Sequence, residues 1–311
     1  MAYDTGTASS AANLKSAIET FAQANGWTLA SGVLSKGTSY VRITSPFSYS
    51  VKIEGANSAD FATEPCGQAQ QMIIPAASFP CSYFLFAHGT PDTLVCVVNY
   101  SVVYFQWLAF GQIQKYGSWT GGNWFGASHS TAFAEAKHDA VWIAQYTSGY
   151  GSFSGGDKAY NSSSGAMWWN SNNKESFGGN YNGSRSTHMH IRLDGNIWPG
   201  AGSGASAIYP SAVEYFDPLH ARSPNAYNGQ TVLTPLRIGM LRTDNYRSIL
   251  GHIGHVRTLR IDNHDPGQVI TIGADKWKVF PWFRKDTDYP LGGVRHGYSG
   301  TFGMAVAYDG P

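Results

Sequence analysis

The sequence predicts a mainly β protein: a β-sandwich or jelly-roll-like core with long loops, preceded by a small N-terminal α+β unit. Three observations lead there. The stretch 94–110 is almost unbroken in Val, Tyr, Phe and Trp, residues that lose side-chain freedom in a helix and fit a covered, pleated surface. Short segments rich in β-branched and aromatic residues recur along the chain, bounded by Gly, Pro, Asn and Asp. Only one segment, 9–25, carries a convincing helical period.

That segment opens the N-terminal unit, placed at 1–58. Ser9 or Ser10 can cap it, Leu14, Ile18 and Phe21 recur at i, i+4 and i+7, and Asn25-Gly26 ends it. Three short strands are expected next, at 27–34, 39–45 and 49–55, with Gly37 and Pro46 marking turns. Val41 and Ile43, then Val51 and Ile53, alternate with polar neighbours as half-buried strands do.

The remainder, 59–311, is expected to form the sandwich-like domain. Pro65, Pro75, Pro80 and Pro91 surround two apolar patches in 60–93 and suggest a connector. The seventeen residues of 94–110 exceed one ordinary strand at about 3.4 Å each, so they predict two strands or one bent strand, with the sheet covered on both faces. Residues 131–146 suggest a short helix followed by a strand. The tract 147–187, Gly-, Ser- and Asn-rich with interleaved aromatics, is too long for a simple turn, and 200–230 is a second long loop. Met167, Trp168 and Trp169 would be costly to leave in water and are expected to dock on this chain or a neighbour. Strands are expected at 188–200, 231–240, 255–262, 268–284 and 300–310. No internal repeat of 20–50 residues is present, so a solenoid or propeller is not indicated.

Composition narrows the function. Charged residues are 13% of the chain against roughly 25% in an ordinary globular domain, so the surface relies on neutral polar side chains or is covered by partners. Twenty-one basic and twenty acidic residues are spread evenly, giving +1 and no Lys/Arg run, so no nucleic-acid partner is expected. No apolar segment approaches twenty residues, so no membrane span is expected. The opening MAYDTGTASS lacks a basic segment followed by an apolar core and does not read as a secretory signal; synthesis in a cytoplasm is expected. Cys66, Cys81 and Cys96 show neither metal spacing nor a disulfide framework. Cys96 reads as a buried small hydrophobe, and free thiols are favoured over a Cys66–Cys81 pair.

Chemistry-bearing residues are few. His188 and His190 flank Met189, and on a strand they share a face; in a three-fold oligomer such pairs would bring six nitrogens to an axis and offer an octahedral metal site. The plainer reading is a surface or cross-strand histidine pair. His252, His255 and His264 form a second cluster, whose HIGH tetrapeptide lacks the strand-to-helix context and partner motif a nucleotide site would need. Asp194, Glu214, Asp217, Asp262 and Asp265 are the carboxylates a glycan hydrolase would draw on, but Asp194-Gly195 and Asp265-Pro266-Gly267 read as turns. Tyr150, Phe153, Tyr160, Trp168, Trp169 and Tyr181 are candidates for stacking on sugars, or for packing inward or against a subunit. No GxSxG, HExxH, P-loop or dinucleotide signature occurs, and no cofactor is expected.

Three stretches, FGQIQKYGSWTGGNWFGASH (110–129), VRTLRIDNHDPGQVITIGADKWKVFPWFRK (256–285) and GYSGTFGMAVAYDGP (297–311), together with NLKSAIETFAQANGWTLASG near the N-terminus, resemble virion structural proteins of tailed bacteriophages, of the tail, baseplate and neck or collar kind. The resemblance touches about half the chain. It implies a non-enzymatic building block of the virion, present as a symmetric homo-oligomer and docking other virion proteins. It supplies no catalytic residues. On this expectation Tyr160, Met167, Trp168, Trp169, Tyr181, Tyr215 and Phe216, in the two long loops, are the contact residues. The alternative is a carbohydrate-binding protein that recognises a host-surface glycan on the same kind of scaffold, with a glycan hydrolase third.

Overall fold

The computed structural model describes residues 1–74, 78–130, 187–195, 197–200, 208–210, 231–243, 246–261, 263–281, 285 and 302–310. In chain order the elements are β1 (Ala2–Ala8), α1 (Ala11–Ala24), β2 (Thr28–Ala30), β3 (Val33–Lys36), β4 (Ser39–Phe47), β5 (Ser50–Ala56), β6 (Gln70–Ile73), β7 (Cys81–His88), β8 (Thr93–Ser101), β9 (Tyr104–Gln112), β10 (Gln114–Lys115), β11 (Gly121–Ala127), β12 (His129–Ser130), β13 (Thr187–Ile191), β14 (Ile208–Pro210), β15 (Thr234–Leu241), β16 (Arg247–Arg260), β17 (Val269–Ile272), β18 (Asp275–Pro281) and β19 (Phe302–Tyr308). The protein is mainly β with a sandwich-like core and one N-terminal helix among the described residues.

Three antiparallel sheets build that core. The central sheet runs β1-β7-β8-β9-β11-β13, the helix-side sheet β12-β6-β5-β4-β3-β2, and the C-terminal sheet β14-β15-β16-β19-β18-β17 with β10 added to β16. Pairing crosses residue 58 in two sheets, since β1 pairs β7 and β5 pairs β6.

The central sheet is buried on both faces because period-2 alternation sends large apolar groups each way. From β7 and β9, Phe84, Phe86, Phe105 and Trp107 gather around Phe280 of β18 in the C-terminal sheet, with ring centroids 4.9, 6.1, 6.2 and 6.1 Å away. Trp107 also donates its indole N–H to the Pro281 carbonyl at 3.0 Å. On the opposite face Phe110 meets Trp27 edge-on at 4.9 Å, just beyond α1. The helix follows its sequence signals: Ser10 accepts from the Asn13 N–H, Asn25 closes the C-terminus, and Leu14, Ile18 and Phe21 are buried. No described helix is long and apolar enough to cross a membrane.

The run 94–110 is two strands. β8 and β9 turn at Val102-Val103, leaving Val102 90% exposed at the tip. The chain then threads all three sheets in succession. β9 lies in the central sheet, β10 reaches across to β16, β11 returns beside β9, and β12 crosses to β6. Ser128, between β11 and β12, stabilises that crossing: its hydroxyl accepts from the Trp107 N–H at 2.6 Å.

One expectation needs correction. Residues 60–93 are not merely a connector, since β6 and β7 lie within them and β7 is interior to the central sheet. Pro80 and Pro91 sit just outside β7, where no ladder N–H is required, so they bound the strand rather than interrupt it. The opening residues 2–8 form β1, paired along its whole length with β7. Cys81 and Cys96 are buried free thiols, and burial pushes the Cys81 thiol up to about 11.

Candidate functional site

Ionisable side chains gather along β13 and the turn that follows it. Strand alternation places His188, His190 and Arg192 on one face, and Asp194 begins the turn two residues later. β13 is held from both sides. Gly121 of β11 approaches so closely that a Cβ there would lie 2.1 Å from the His190 carbonyl oxygen, and its φ of +108° suits glycine alone. On the other side residues 197–200 fold back, with Met189 N–H donating to Pro199 O at 3.2 Å and Ile191 N–H to Ile197 O at 2.8 Å.

Glu64 is the hub of the polar seam. It sits in a loop fixed by its own hydrogen bonds: Asn57 N–H donates to Thr63 O at 3.0 Å, Thr63 N–H to the Ser58 hydroxyl at 2.9 Å, and Cys66 N–H to Gly55 O at 2.8 Å. Glu64 itself has φ +45°. Its carboxylate accepts from His190 Nε2 at 2.7 Å and is paired with the Arg192 guanidinium, and its backbone carbonyl accepts from the Trp198 indole at 2.7 Å. Trp198 is the common wall of the site: its ring lies 5.2 Å from that of His190 and 5.6 Å from Phe125, and its carbonyl is 3.4 Å from His188 Nδ1. His188 in turn stacks on Phe125 with centroids 5.7 Å apart. Gly55 makes room for this group, since a Cβ there would lie 2.5 Å from the Phe125 ring.

The electrostatics favour a static role. His188 and His190 are each 1% exposed. Burial pushes the His190 imidazole below its ordinary range, and Arg192 already neutralises Glu64, so the neutral ring donates Nε2–H to the carboxylate. His190 Nδ1 is buried with no hydrogen-bond partner among the described residues. Asp194 leaves the seam in the other direction: Arg242 Nη2 and Nε donate to its two oxygens at 2.6 and 2.7 Å, and Thr243 N–H adds a third bond at 3.1 Å. Those Arg242 hydrogen bonds hold the Asp194 carboxyl below the usual range.

Each residue singled out in the sequence can now be placed. His188 and His190 do meet one group, Trp198, and among the described residues no three His, Cys, Asp or Glu side chains are grouped as a metal would need. His252 and His255 lie in β16, a continuous strand, which removes the strand-to-helix turn a nucleotide-binding HIGH motif requires. His264 is apart in a turn, its Nε2 2.6 Å from the Thr231 hydroxyl. Asp194 and Asp265 are both turn residues; the Asp265 carbonyl accepts from Gln268 N–H at 3.0 Å. Tyr160, Met167, Trp168, Trp169, Tyr181, Tyr215 and Phe216 lie outside the described residues, as do Tyr150, Phe153, Glu214, Asp217 and Asp262. Glu64, Trp198 and Arg242 were not anticipated; an alternating His-x-His-x-Arg-x-Asp pattern signals the seam, but nothing local signals its partners.

Fold and site together define a mainly β, sandwich-like protein with a His–Glu–Arg seam at the margin of its central sheet, its histidines buried and Arg192 exposed. The sequence matches no protein-family model, and comparison with curated proteins gives no match.

Proposed function

We propose that this chain is a non-enzymatic structural component of a bacteriophage virion, of the tail, baseplate or neck kind, working by self-association and by docking other virion proteins. The observation that supports self-association is β17. It pairs only with β18 among the described residues, forms the outer edge of the C-terminal sheet, and carries Val269-Ile270-Thr271-Ile272 with Ile272 51% exposed. An apolar edge strand without a charge or proline to blunt it is a template for another chain's strand. The second copy of this chain is the partner favoured by a low-charge surface and by the resemblance of 256–285, which contains β17, to virion proteins. The side chains of the seam support the same reading, because His190 and Arg192 are both engaged by Glu64.

The test is quantitative mass spectrometry of gradient-purified particles from a lysate of the source, together with sedimentation velocity of the purified chain. A constant ratio to the major capsid protein is expected, along with an assembly larger than the monomer that Ile272→Lys weakens. A chain that stays in the soluble fraction as a monomer overturns the proposal, and host-glycan binding is then the next assay.

A further inference from the structure

His88 ends β7, His255 lies within β16, and the two meet where the central and C-terminal sheets touch. Their rings stack with centroids 4.4 Å apart and planes 7° apart. His88 is 5% exposed, and its Nε2 donates to the Ala307 carbonyl of β19 at 2.9 Å. The carbonyls of Gly89 and Pro91, in the turn after β7, lie beside His255 and favour its charged form, a smaller effect than the burial that opposes it. One ring thus ties β7 to β19, and the other ties β16 to the turn at 89–91.

Each ring has one nitrogen on a backbone carbonyl. The other nitrogen, Nδ1 of His88 and Nε2 of His255, is buried with no hydrogen-bond partner among the described residues. A nitrogen facing a carbonyl must carry its hydrogen, so the remaining nitrogen is a bare acceptor in the neutral ring. It gains a hydrogen only when the ring becomes charged. Protonation would therefore create a buried donor without an acceptor, and protonating both rings would set two cations face to face.

The charged groups nearby oppose that as well. Arg257, on the same strand as His255, and the α-amino group of Met1, at the start of β1, both act on the pair as cations. His252, three residues back in β16, is itself pushed down by burial and by Arg257 and Arg237. Asp92, the acid of the β7–β8 turn, is paired with Lys36 at 2.8 Å. From β8, Thr93 is the residue opposite His88, and β19 offers the Ala307 carbonyl.

We propose that the His88–His255 stack is an acid-sensitive clasp: it joins the central and C-terminal sheets while both rings are neutral, and in mild acid it lets the turn at 89–92 part from β16 and β19.

The sign follows from burial, which pushes His88 down to about 4 and His255 below its ordinary range. An opened or unfolded histidine takes up a proton near 6.5, before the clasped one does. The closed form is therefore at full strength above about pH 6.5, weakens as the pH falls from there towards about 4, and weakens no further below that. From His88 alone the opening equilibrium shifts on the order of a hundredfold across that window.

Hydrogen exchange followed by mass spectrometry at pH 7.5 and 5.0, corrected for intrinsic chemistry, reads this directly. In the wild-type protein, peptides covering 84–93, 254–260 and 302–308 are expected to lose about tenfold or more of their protection at pH 5.0, while α1 keeps its own. In the His88→Phe/His255→Phe variant, which retains two flat rings that cannot be charged, that loss should vanish. Equal loss in both proteins, or no loss in the wild type, overturns the clasp. Should the variant fail to fold, NMR titration of the wild-type imidazoles decides: both rings still neutral at pH 5.5 supports the clasp, and titration near 6.5 refutes it.

Discussion

Replacing Phe280 by Ala tests whether the central and C-terminal sheets share one core. Phe280 is fully buried, and its four aromatic neighbours among the described residues, Phe84, Phe86, Phe105 and Trp107, all belong to β7 and β9 of the other sheet. Truncating a buried Phe costs about 3–5 kcal/mol, the larger values arising where the cavity cannot collapse. Here collapse is hindered, because the lining rings are fixed to interior strands of a sheet packed on its opposite face as well. Each aromatic pair also contributes about 0.5–1.5 kcal/mol beyond burial. The expected loss is therefore about 4–5 kcal/mol, a large part of the roughly 5–15 kcal/mol that holds a typical protein folded. Phe280→Leu, which keeps most of the volume, should lose about 1–2 kcal/mol. Urea titration followed by tryptophan fluorescence and far-ultraviolet circular dichroism measures both, and the two probes should shift together. A loss below about 2 kcal/mol for the Ala variant, or two transitions of which one is unmoved, would refute the shared core.

Two further perturbations address the seam. Gly121→Ala puts a methyl group 2.1 Å from the His190 carbonyl at φ +108°, so β13 must shift away from β11; increased proteolysis near 187–200 and a lowered melting temperature are expected, and a variant as stable as wild type would show that the close approach is wrong. Asp194→Asn removes the carboxylate whose folded-state pKa the Arg242 hydrogen bonds depress, so its contribution is present above the ordinary carboxylate value near 3.9 and is lost as the pH falls through the lower folded value. The difference in urea midpoint between wild type and variant should thus close between pH 7 and pH 2.5, whereas a constant difference would mean that the ion pair is not its source.

How far the sequence could be read depended on whether the relevant signal was local. The helix announced itself because Leu14, Ile18 and Phe21 keep a 3.6 period and Ser10 and Asn25 are adjacent caps. The buried character of 94–110 is equally plain, but its hairpin turn is not, since Val102-Val103 contains neither Gly nor Pro. β7 was obscured by the prolines that bound it. β1 was obscured by Asp4, Gly6 and few β-branched residues, an ordinary composition for an edge strand stabilised by its neighbour rather than by propensity. At the site, alternation sufficed to place His188 and His190 on one face, and the turn at Asp194-Gly195 follows from residue type. Glu64 lies 126 residues from His190, in a loop held by side-chain hydrogen bonds with no period, and Arg242 lies 48 residues from Asp194. Such pairings are set by topology, which binary pattern alone does not specify.

The path of 104–130 through all three sheets links these observations. A strand that leaves its sheet exposes backbone donors and acceptors unless something completes them. Here β10 is completed by β16, β12 by β6, and the crossing at Ser128 by Trp107. Trp107 also reaches Pro281 in the C-terminal sheet, and Phe125 on the same path carries His188 and Trp198 of the seam. A force or a rotation applied to one sheet is therefore transmitted to the others through this stretch, and the His88–His255 stack is a second tie between the central and C-terminal sheets. If the chain is a virion subunit joined to its neighbours through β17, the C-terminal sheet is the one that a neighbour holds. Acid opening of the clasp would then loosen the contact at the 89–92 turn while leaving the 104–130 path and the Phe280 core intact, a local opening rather than a dissociation.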